Sequence, residues 1–377
     1  MAVCPTMTIF AAMSALSENR TTQSVARQKF GLLRLNAVTN PVQPSEEACY
    51  HLYGLNPERV EANTPQDILT YATQCDILFV VATALPLQVI NGLEHCRLIS
   101  RLGNGTDKIA VDAATERGII VSNTPYFCVA EMADHILAMI LSLARRLPEM
   151  DNHLRQGTYD RARDQGVQLQ RLAGKVLGIV GFGATGPAVA RRAAPFGFEV
   201  LATRKNMHAP IDPDLAVELV DLDTLLERSD YISLQLPLTT ETYHLIDEAA
   251  LTKMKPGAYL INTSRGALVD EHALAKALAK GRLAGAGIDT FEEIDIFCEN
   301  PSRPNHPLLE LDNVILTPHV AGLSVQASED AAHTGIKNAL AVMDGMYPPH
   351  ENIVNKNVVP RFPLSPYDAK HFAKTGA

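Results

Sequence analysis

The chain has 377 residues, more than one typical domain, so two domains are expected. Its composition, 46% hydrophobic and 20% charged, is ordinary for a soluble globular protein, and no apolar stretch is long enough to cross a bilayer. A formal net charge of −9 gives no basic footprint for nucleic acid, and six cysteines without a C-x-x-C pair indicate thiols in a reducing compartment such as the cytoplasm.

The first 27 residues are small, rich in Ser and Thr, and aperiodic, with Glu18 as their single acid. Two interpretations stay open for this segment. Targeting peptides are poor in acids, but the segment lacks the basic amphipathic face of a transit peptide, which favours a disordered or mis-started N-terminus.

From Phe30 to Val121, short apolar runs alternate with stretches of helical periodicity, which predicts a parallel sheet with helices on both faces. The expected strands are Gly31–Val38, Ile77–Ala82, Leu98–Leu102 and Gly118–Val121, and the expected helices are Thr64–Gln74 and Ala110–Arg117.

The Gly-Asn-Gly turn in Arg101–Asp107 follows the third of these strands. Open α/β sheets bind ligands at the carboxyl ends of their strands, and the N–H groups of such a turn can form a nest for an anion. An ordinary turn is the alternative.

A long apolar helix is expected at Val129–Leu147, stopped by Pro148. Its composition is typical of an interdomain or dimer-forming element. The polar stretch Gly157–Arg171 after it is expected to be a surface loop.

A dinucleotide-binding motif lies in Val176–Gly186, where an apolar run leads into G-x-G-x-x-G and then into a helical pattern. Gly181 permits the tight turn, Gly183 lets a pyrophosphate approach the backbone, and Gly186 lets the helix pack on the strand. The next strand, Phe198–Thr203, has no acid at its end.

Arg204 and Lys205 stand there instead. Two cations suit the 2′-phosphate of NADP(H), since a guanidinium can bind a phosphate with two hydrogen bonds. A solvated basic turn is the alternative.

Three later strands end at polar residues, Arg265, Asp289 and His319, which are expected on one rim of the sheet. The strands are Met254–Thr263, Gly281–Asp289 and Asn313–Thr317. A helix at Gln326–Met343 is expected to return to the first domain, and Tyr347–Ala377 to lie over the surface or be disordered.

These stretches resemble the D-isomer-specific 2-hydroxyacid dehydrogenase family, in motifs such as RLGNGTDKIAVDAATERGIIVSNTP, VLGIVGFGATG, INTSRGALVDEHAL and VILTPHVAG. The resemblance implies two doubly wound parallel-sheet α/β domains. A Rossmann dinucleotide-binding domain, residues 125–320, would be inserted in a flavodoxin-like substrate domain made of residues 1–124 and 321–377. It also implies a homodimer.

Roles follow from the resemblance by position. Arg265 would clamp the carboxylate and α-oxygen of a 2-oxo acid, His319 would protonate its carbonyl oxygen, and Asn104 and Gly105 would hold the carboxylate. Asp289 would lie near the nicotinamide carboxamide. The implied cofactor-binding set is Gly181, Gly183, Ala184, Thr185, Gly186, Thr203, Arg204, Lys205, Pro237, Thr263, Ser264, Asp289 and Gly322; no metal is expected.

Besides Arg204 at the position of the acid, the chain departs from the family at two places. Ile294 stands where the family has its catalytic glutamate; Glu293 is expected to substitute, with Asp295 as the alternative, and otherwise His319 lacks an acid partner there. Ala82 and Thr83 stand where phosphoglycerate enzymes have an arginine for the phosphate.

The expected function is reduction of a small 2-oxo acid of the glyoxylate or hydroxypyruvate kind with NADP(H), NAD being the alternative cofactor. The rival functions are a nucleotide-sensing, corepressor-like binding protein and an NAD-dependent D-3-phosphoglycerate dehydrogenase. The expected partner is a small molecule, with neither nucleic acid nor membrane.

Overall fold

The computed structural model describes residues 29–294, 296 and 302–370, and the chain divides into two compact units. Unit 1 ends at Phe127 and resumes at Val325, and unit 2 runs from Cys128 to Ser324. The sequence placed these boundaries a few residues earlier, after residues 124 and 320. The first 27 residues and Asp295, for which expectations were given, lie outside the described residues.

Unit 1 is built on a five-stranded parallel sheet with the order β2-β1-β3-β4-β5, the flavodoxin-like order. The strands are β1 (Leu32–Leu35), β2 (Glu58–Val60), β3 (Ile77–Val80), β4 (Leu98–Arg101) and β5 (Ile120–Ser122). The helices are α1 (Pro44–Tyr53), α2 (Pro65–Ala72), α3 (Leu87–Gly92), α4 (Val111–Glu116) and, from the second segment, α12 (Val325–Met343).

The central strand β3 is buried on both faces of this sheet, which explains its unbroken apolar sequence. Along β3, Ile77 and Phe79 join the core that includes Ile336 of α12, whereas Leu78 and Val80 join the core on the opposite face. Successive side chains of a strand point to opposite faces, so one short apolar run contributes to two cores.

Unit 2 has a seven-stranded parallel sheet with the order β12-β11-β10-β9-β6-β7-β8. From β6, the strand order runs outward in one direction through β7 and β8 and in the other through β9 to β12, as in a Rossmann fold. The strands are β6 (Val176–Val180), β7 (Glu199–Thr203), β8 (Val217–Leu219), β9 (Tyr231–Leu234), β10 (Tyr259–Asn262), β11 (Gly285–Ile288) and β12 (Val314–Leu316). The helices are α5 (Val129–Arg145), α6 (Leu147–Arg155), α7 (Tyr159–Gly166), α8 (Thr185–Ala193), α9 (Leu222–Arg228), α10 (Glu248–Lys253) and α11 (Glu271–Ala279).

Two expectations about the chain after α5 were wrong. The helix ends because Arg146 takes a left-handed φ of 50°, and Pro148 lies in the first turn of α6 instead of stopping α5. Most of the expected surface loop Gly157–Arg171 is the helix α7. Neither α6 nor α7 has a buried residue. The helix α7 is mostly polar, whereas α6 carries Leu147, Met150 and Leu154 at helical spacing.

The segment after α12 is described up to residue 370, so the last seven residues of the expected surface segment lie outside the described residues. The described part is more ordered than expected. Ile353 pairs with Ser122 at the edge of the unit 1 sheet, and the side chain of the buried Asn355 accepts a hydrogen bond of 2.9 Å from the N–H of Val121. This part of the predicted surface segment therefore covers the β5 edge. Within the described ranges, no helix has both the length and the apolar character needed to cross a membrane.

Candidate active site

The glycine loop of unit 2 joins β6 to α8. Gly181 has a φ of 96°, and a Cβ there would stand 2.3 Å from the carbonyl oxygen of Gln235, so the turn requires glycine. At Gly186 a Cβ would lie 2.7 Å from the ring of Phe182. At Gly183 no described atom lies within 4 Å of the Cβ position. The loop is therefore tight against the sheet and open at its middle.

A basic pair follows β7. Arg204 Nη2 donates hydrogen bonds to the carbonyl oxygens of Ala209 and Pro210, and its buried Nε has no hydrogen-bond partner in the described part of the chain. Lys205 is exposed, with Nζ 3.9 Å from Glu241 Oε2. Since Arg204 forms no ion pair among the described residues, its positive charge is not neutralised at the end of the strand.

The turn after β10 is held by side-chain hydrogen bonds. Asn262 Nδ2 donates to the Arg265 carbonyl at 2.7 Å, and Ser264 Oγ donates to a carbonyl at the end of β9, also at 2.7 Å. The half-buried Arg265 donates from Nη1 to the Ser264 carbonyl at 2.7 Å. A Cβ at Gly266 would stand 2.0 Å from the carbonyl carbon of Phe291, so this turn packs directly on the segment after β11.

Asp289, directly after β11, organises the loop that carries His319. Its fully buried carboxylate accepts hydrogen bonds at Oδ1 from Thr317 Oγ1 (2.5 Å) and Val320 N (2.9 Å), and at Oδ2 from Ala321 N (3.0 Å). Its carbonyl oxygen accepts from the N–H of His319 at 2.7 Å. Both carboxylate oxygens of Asp289, which the family resemblance puts near the nicotinamide carboxamide, are thus bonded to the loop.

His319 itself has a φ of 56°, in the left-handed region that costs a non-glycine residue about 1–2 kcal/mol. The surrounding hydrogen bonds hold it there. A second histidine stands behind the loop: His135 Nε2 of α5 lies 3.1 Å from Thr317 Oγ1 and 3.9 Å from Asp289 Oδ1.

Glu293, the expected acid partner of His319, has two other histidines as its contacts. Its Oε1 lies 3.0 Å from His272 Nε2 and its Oε2 lies 3.9 Å from His306 Nε2. Ile294 is half-buried. The role of Glu293 beside His319 therefore stays a prediction, and these contacts count against it.

A buried acid–histidine pair lies beneath this segment. Glu271 Oε2 is 2.9 Å from His306 Nε2, and Glu271 Oε1 accepts a hydrogen bond of 3.0 Å from the N–H of Glu292. His306 Nδ1 accepts from the N–H of Leu308, so the ring proton of a neutral His306 belongs on Nε2; this atom is close to the carboxylate but is not aligned for a hydrogen bond with it. Burial is the largest influence on Glu271 and raises the pKa of its carboxyl above the ordinary value.

In unit 1, the turn with Asn104 and Gly105 follows β4. Asn123 Nδ2 donates to the Asn104 carbonyl at 2.7 Å, and Thr124 N donates to the Gly103 carbonyl at 3.0 Å. The N–H groups of residues 104–106 donate no hydrogen bond within the described residues of the chain. They form a set of unused donors at the carboxyl edge of the sheet.

The carboxyl edge of unit 2 fits a bound dinucleotide. Gly183 leaves open space above the backbone, as a pyrophosphate requires. The hydroxyl oxygens of Thr263 and Thr290 are buried without a hydrogen-bond partner in the described part of the chain, and so is Arg204 Nε. Buried polar atoms of this kind need a partner. The described residues contain no group of three or more His, Cys, Asp or Glu side chains suited to a metal ion.

Two similarities identify the family. Residues 137–321 match the family model for "D-isomer specific 2-hydroxyacid dehydrogenase, NAD binding domain". Over 301 residues the chain is 39% identical to a glyoxylate reductase of Thermococcus litoralis, which covers 78% of this chain and 88% of that protein. The chain belongs to the D-isomer-specific 2-hydroxyacid dehydrogenase family.

Two solved structures resemble this 2-hydroxyacid dehydrogenase over most of its length. The D-lactate dehydrogenase of Aquifex aeolicus, solved with NAD and lactic acid, has a TM-score of 0.76 and 28% identity, covering 86% of this chain and 99% of that one. The NADPH-dependent glyoxylate/hydroxypyruvate reductase of Sinorhizobium meliloti, solved with NADP and malonate, has a TM-score of 0.75 and 26% identity, covering 89% and 100%. The predicted family and fold class are confirmed.

Sequence reasoning about this dehydrogenase overlooked several residues at the two edges. Arg101 lies within the quoted turn but was given no role. Thr290, His135 and the Glu271–His306 pair were also given no role, although Glu271 lies within the stretch INTSRGALVDEHAL, and their positions in the folded chain reveal them. For Thr290 the available signal is its position just beyond a strand end, since it follows Asp289 and β11.

Proposed function

We propose that the protein reduces a small 2-oxo acid, of the glyoxylate or hydroxypyruvate kind, with NADP(H). The observation that supports this proposal most is the set of Arg265, Asp289 and His319 at three neighbouring strand ends, beside a glycine loop that fits a dinucleotide. The relative named glyoxylate reductase supports the choice of a small acid.

The reaction needs a cation and a proton donor at the carbonyl group. When bound, the nicotinamide supplies a hydride. Arg265 binds the carboxylate and the α-oxygen, and its positive charge stabilises the alkoxide that develops on that oxygen. His319 donates a proton to the same oxygen during reduction and takes it back during oxidation.

Asp289 has two proposed roles. The first role, close to the nicotinamide carboxamide, is inferred from the position of Asp289 in the family sequence. Its hydrogen bonds with Thr317, Val320 and Ala321 support a second role, which is to hold His319 in its left-handed conformation. The second role follows from these contacts.

The preference for NADP(H) rests on Arg204 and Lys205. A 2′-phosphate at the end of β7 would meet a guanidinium whose buried Nε has no hydrogen-bond partner among the described residues. With NAD, the family position would need an acid for the ribose hydroxyl, and the chain has none there. A kcat/KM for NADH equal to that for NADPH would contradict this preference.

The remaining assignments concern units and assembly. We propose unit 2 as the dinucleotide-binding domain and unit 1 as the substrate domain, in which Asn104 and Gly105 bind the carboxylate. A homodimer is supported by a groove of about 540 Å³ whose lining includes Leu137 and Leu141 of α5 and Phe196, together with the charged side chains of Asp134, Arg191 and Arg192. The buried free thiols support a reducing compartment, the cytoplasm.

A substrate screen tests the proposal. NADPH oxidation would be followed with glyoxylate, hydroxypyruvate, pyruvate, phenylpyruvate and branched 2-oxo acids. We expect the highest kcat/KM for glyoxylate or hydroxypyruvate. Tight cofactor binding with negligible turnover of every acid would refute the proposal. The corepressor-like and phosphoglycerate functions are not favoured, because the relative compared above bears the name glyoxylate reductase.

A further inference from the structure

The side chain of Arg101 folds back over the turn that follows it. Arg101 is the last residue of β4, and its guanidinium donates hydrogen bonds from Nε to the Gly105 carbonyl at 3.0 Å and from Nη1 to the Leu102 carbonyl at 2.7 Å. One rigid guanidinium thus bonds to both ends of the Leu102–Gly105 turn. A lysine ammonium could not reproduce this planar two-point contact.

Gly103 is required for this arrangement. A Cβ at Gly103 would stand 1.5 Å from Arg101 Nη1 and 2.5 Å from Arg101 Cζ, and the φ of Gly103 is 153°, which L side chains rarely adopt. The guanidinium therefore occupies the space that any other side chain at residue 103 would need. The arginine and the glycine specify the turn together.

The consequence concerns the direction of the peptide groups. The carbonyls of Leu102 and Gly105 point to the guanidinium, and the Gly103 carbonyl accepts from Thr124 N. With these carbonyls engaged, the N–H groups of residues 104–106 are the backbone groups of the turn that make no hydrogen bond among the described residues. A positive charge within the same turn makes the site more favourable to an anion.

We propose that Arg101 is the positioning residue of the carboxylate-binding turn and sets the affinity for the 2-oxo acid. This inference rests on the proposed function, in which Asn104 and Gly105 bind the carboxylate. Arg101 acts through the turn and its charge. Its loss therefore weakens binding of any small carboxylate of this type and leaves the dinucleotide-binding residues of unit 2 unchanged.

The test compares two arginines at the opposite ends of the same strand. Arg97 directly precedes β4, and its Nε lies 3.0 Å from Asp76 Oδ1, so R97K is the matched control for R101K. For each protein, calorimetry would give the Kd of NADPH and the Kd of oxalate on the NADPH complex, and steady-state kinetics would give KM and kcat for glyoxylate.

For R101K we expect the oxalate Kd and the glyoxylate KM to rise about 10–100-fold, with kcat reduced less and the NADPH Kd within about two-fold of the unmodified protein. R97K should match the unmodified protein in all four constants. G103A should shift the oxalate Kd in the same direction as R101K, because it displaces the guanidinium. In R101A, added guanidinium should lower the oxalate Kd where the same concentration of ammonium does not.

Two failures are distinguishable. If the unmodified protein reduces glyoxylate and R101K binds oxalate as tightly as R97K does, the inference about Arg101 is wrong. If the unmodified protein reduces no 2-oxo acid but loses oxalate binding in R101K, the proposed function is wrong and the anion-binding role of Arg101 stands. A loss of NADPH affinity in R101K equal to the loss of oxalate affinity would mean a general structural defect and would overturn the inference.

Discussion

Replacing Asp289 by asparagine would separate its two proposed roles. The carboxylate accepts three hydrogen bonds from the His319 loop, two at Oδ1 and one at Oδ2. An asparagine amide has one acceptor oxygen, and its other group is an NH₂ that can only donate, so the NH₂ must face an N–H or O–H donor of the loop. The change removes a hydrogen bond to a charged group, about 1.5–3 kcal/mol, and leaves a buried donor unsatisfied, about 1–3 kcal/mol.

The lower cost of burying a neutral amide offsets part of this loss, so we expect the free energy of unfolding to fall by about 3 kcal/mol. For a unit of this size the Tm falls by about 2–4 °C per kcal/mol. The released loop would also misplace His319. A displacement of about 1 Å at a catalytic group lowers kcat by about 100-fold.

The assay combines thermal unfolding, kcat for glyoxylate and the Kd of NADPH. Asp247→Asn is the control. The Asp247 carboxylate caps α10 by accepting a hydrogen bond of 2.8 Å from the N–H of Ala250, and an asparagine oxygen caps a helix equally well. We expect Asp289→Asn to lose kcat and stability while the NADPH Kd changes little. Unchanged kcat and Tm with weakened NADPH binding would refute the loop role and favour the nicotinamide role.

Four further predictions follow from the site and the fold. Arg204→Asp should shift the NADPH/NADH ratio of kcat/KM toward NADH by on the order of 2–4 kcal/mol; an unchanged ratio would contradict the phosphate contact. Arg265→Lys should raise the KM for the oxo acid and spare the Kd of NADPH, whereas the opposite pattern would mean that the residue is misassigned. If Glu293 pairs with His272 and not with the catalytic histidine, Glu293→Gln should leave the reductive pH profile unchanged; a lower apparent pKa would restore Glu293 as the acid partner. Burial lowers the pKa of His333, so its contribution to stability is present above about pH 6.5 and is lost as the pH falls through its folded pKa. His333→Gln should therefore reduce the fall in the free energy of unfolding at acid pH. A fall as steep as in the unmodified protein would contradict this assignment.

The sequence predicted the parts of the fold that repeat a local pattern. Buried strands such as Ile77–Val80 and Val176–Val180 are unbroken apolar runs, and the glycine loop carries its own turn chemistry. The helix α7 was missed because it is mostly polar, whereas the spacing of Leu147, Met150 and Leu154 could have revealed α6. The strand β2 was missed because Glu58–Val60 is short, mostly polar and lies at the sheet edge.

The site was predictable only where a residue stands at a strand end. Arg265, Asp289 and His319 follow β10, β11 and β12, so their shared edge could be expected. The contact of His135 with Thr317 joins residues far apart in the chain, and no local pattern records it. The fold-back of Arg101 depends on a rotamer, and the partner of Glu293 depends on how the segment after β11 packs on α11.

In the proposed reaction, His319 donates the proton that completes reduction of a small 2-oxo acid. The most direct measurement is kcat for glyoxylate with NADPH in the unmodified protein and in His319→Gln, with the Kd of NADPH measured in both. We predict turnover in the unmodified protein, a loss of about 100-fold or more in the variant, and an unchanged Kd. No turnover in the unmodified protein, or equal turnover in the two proteins, would contradict the account.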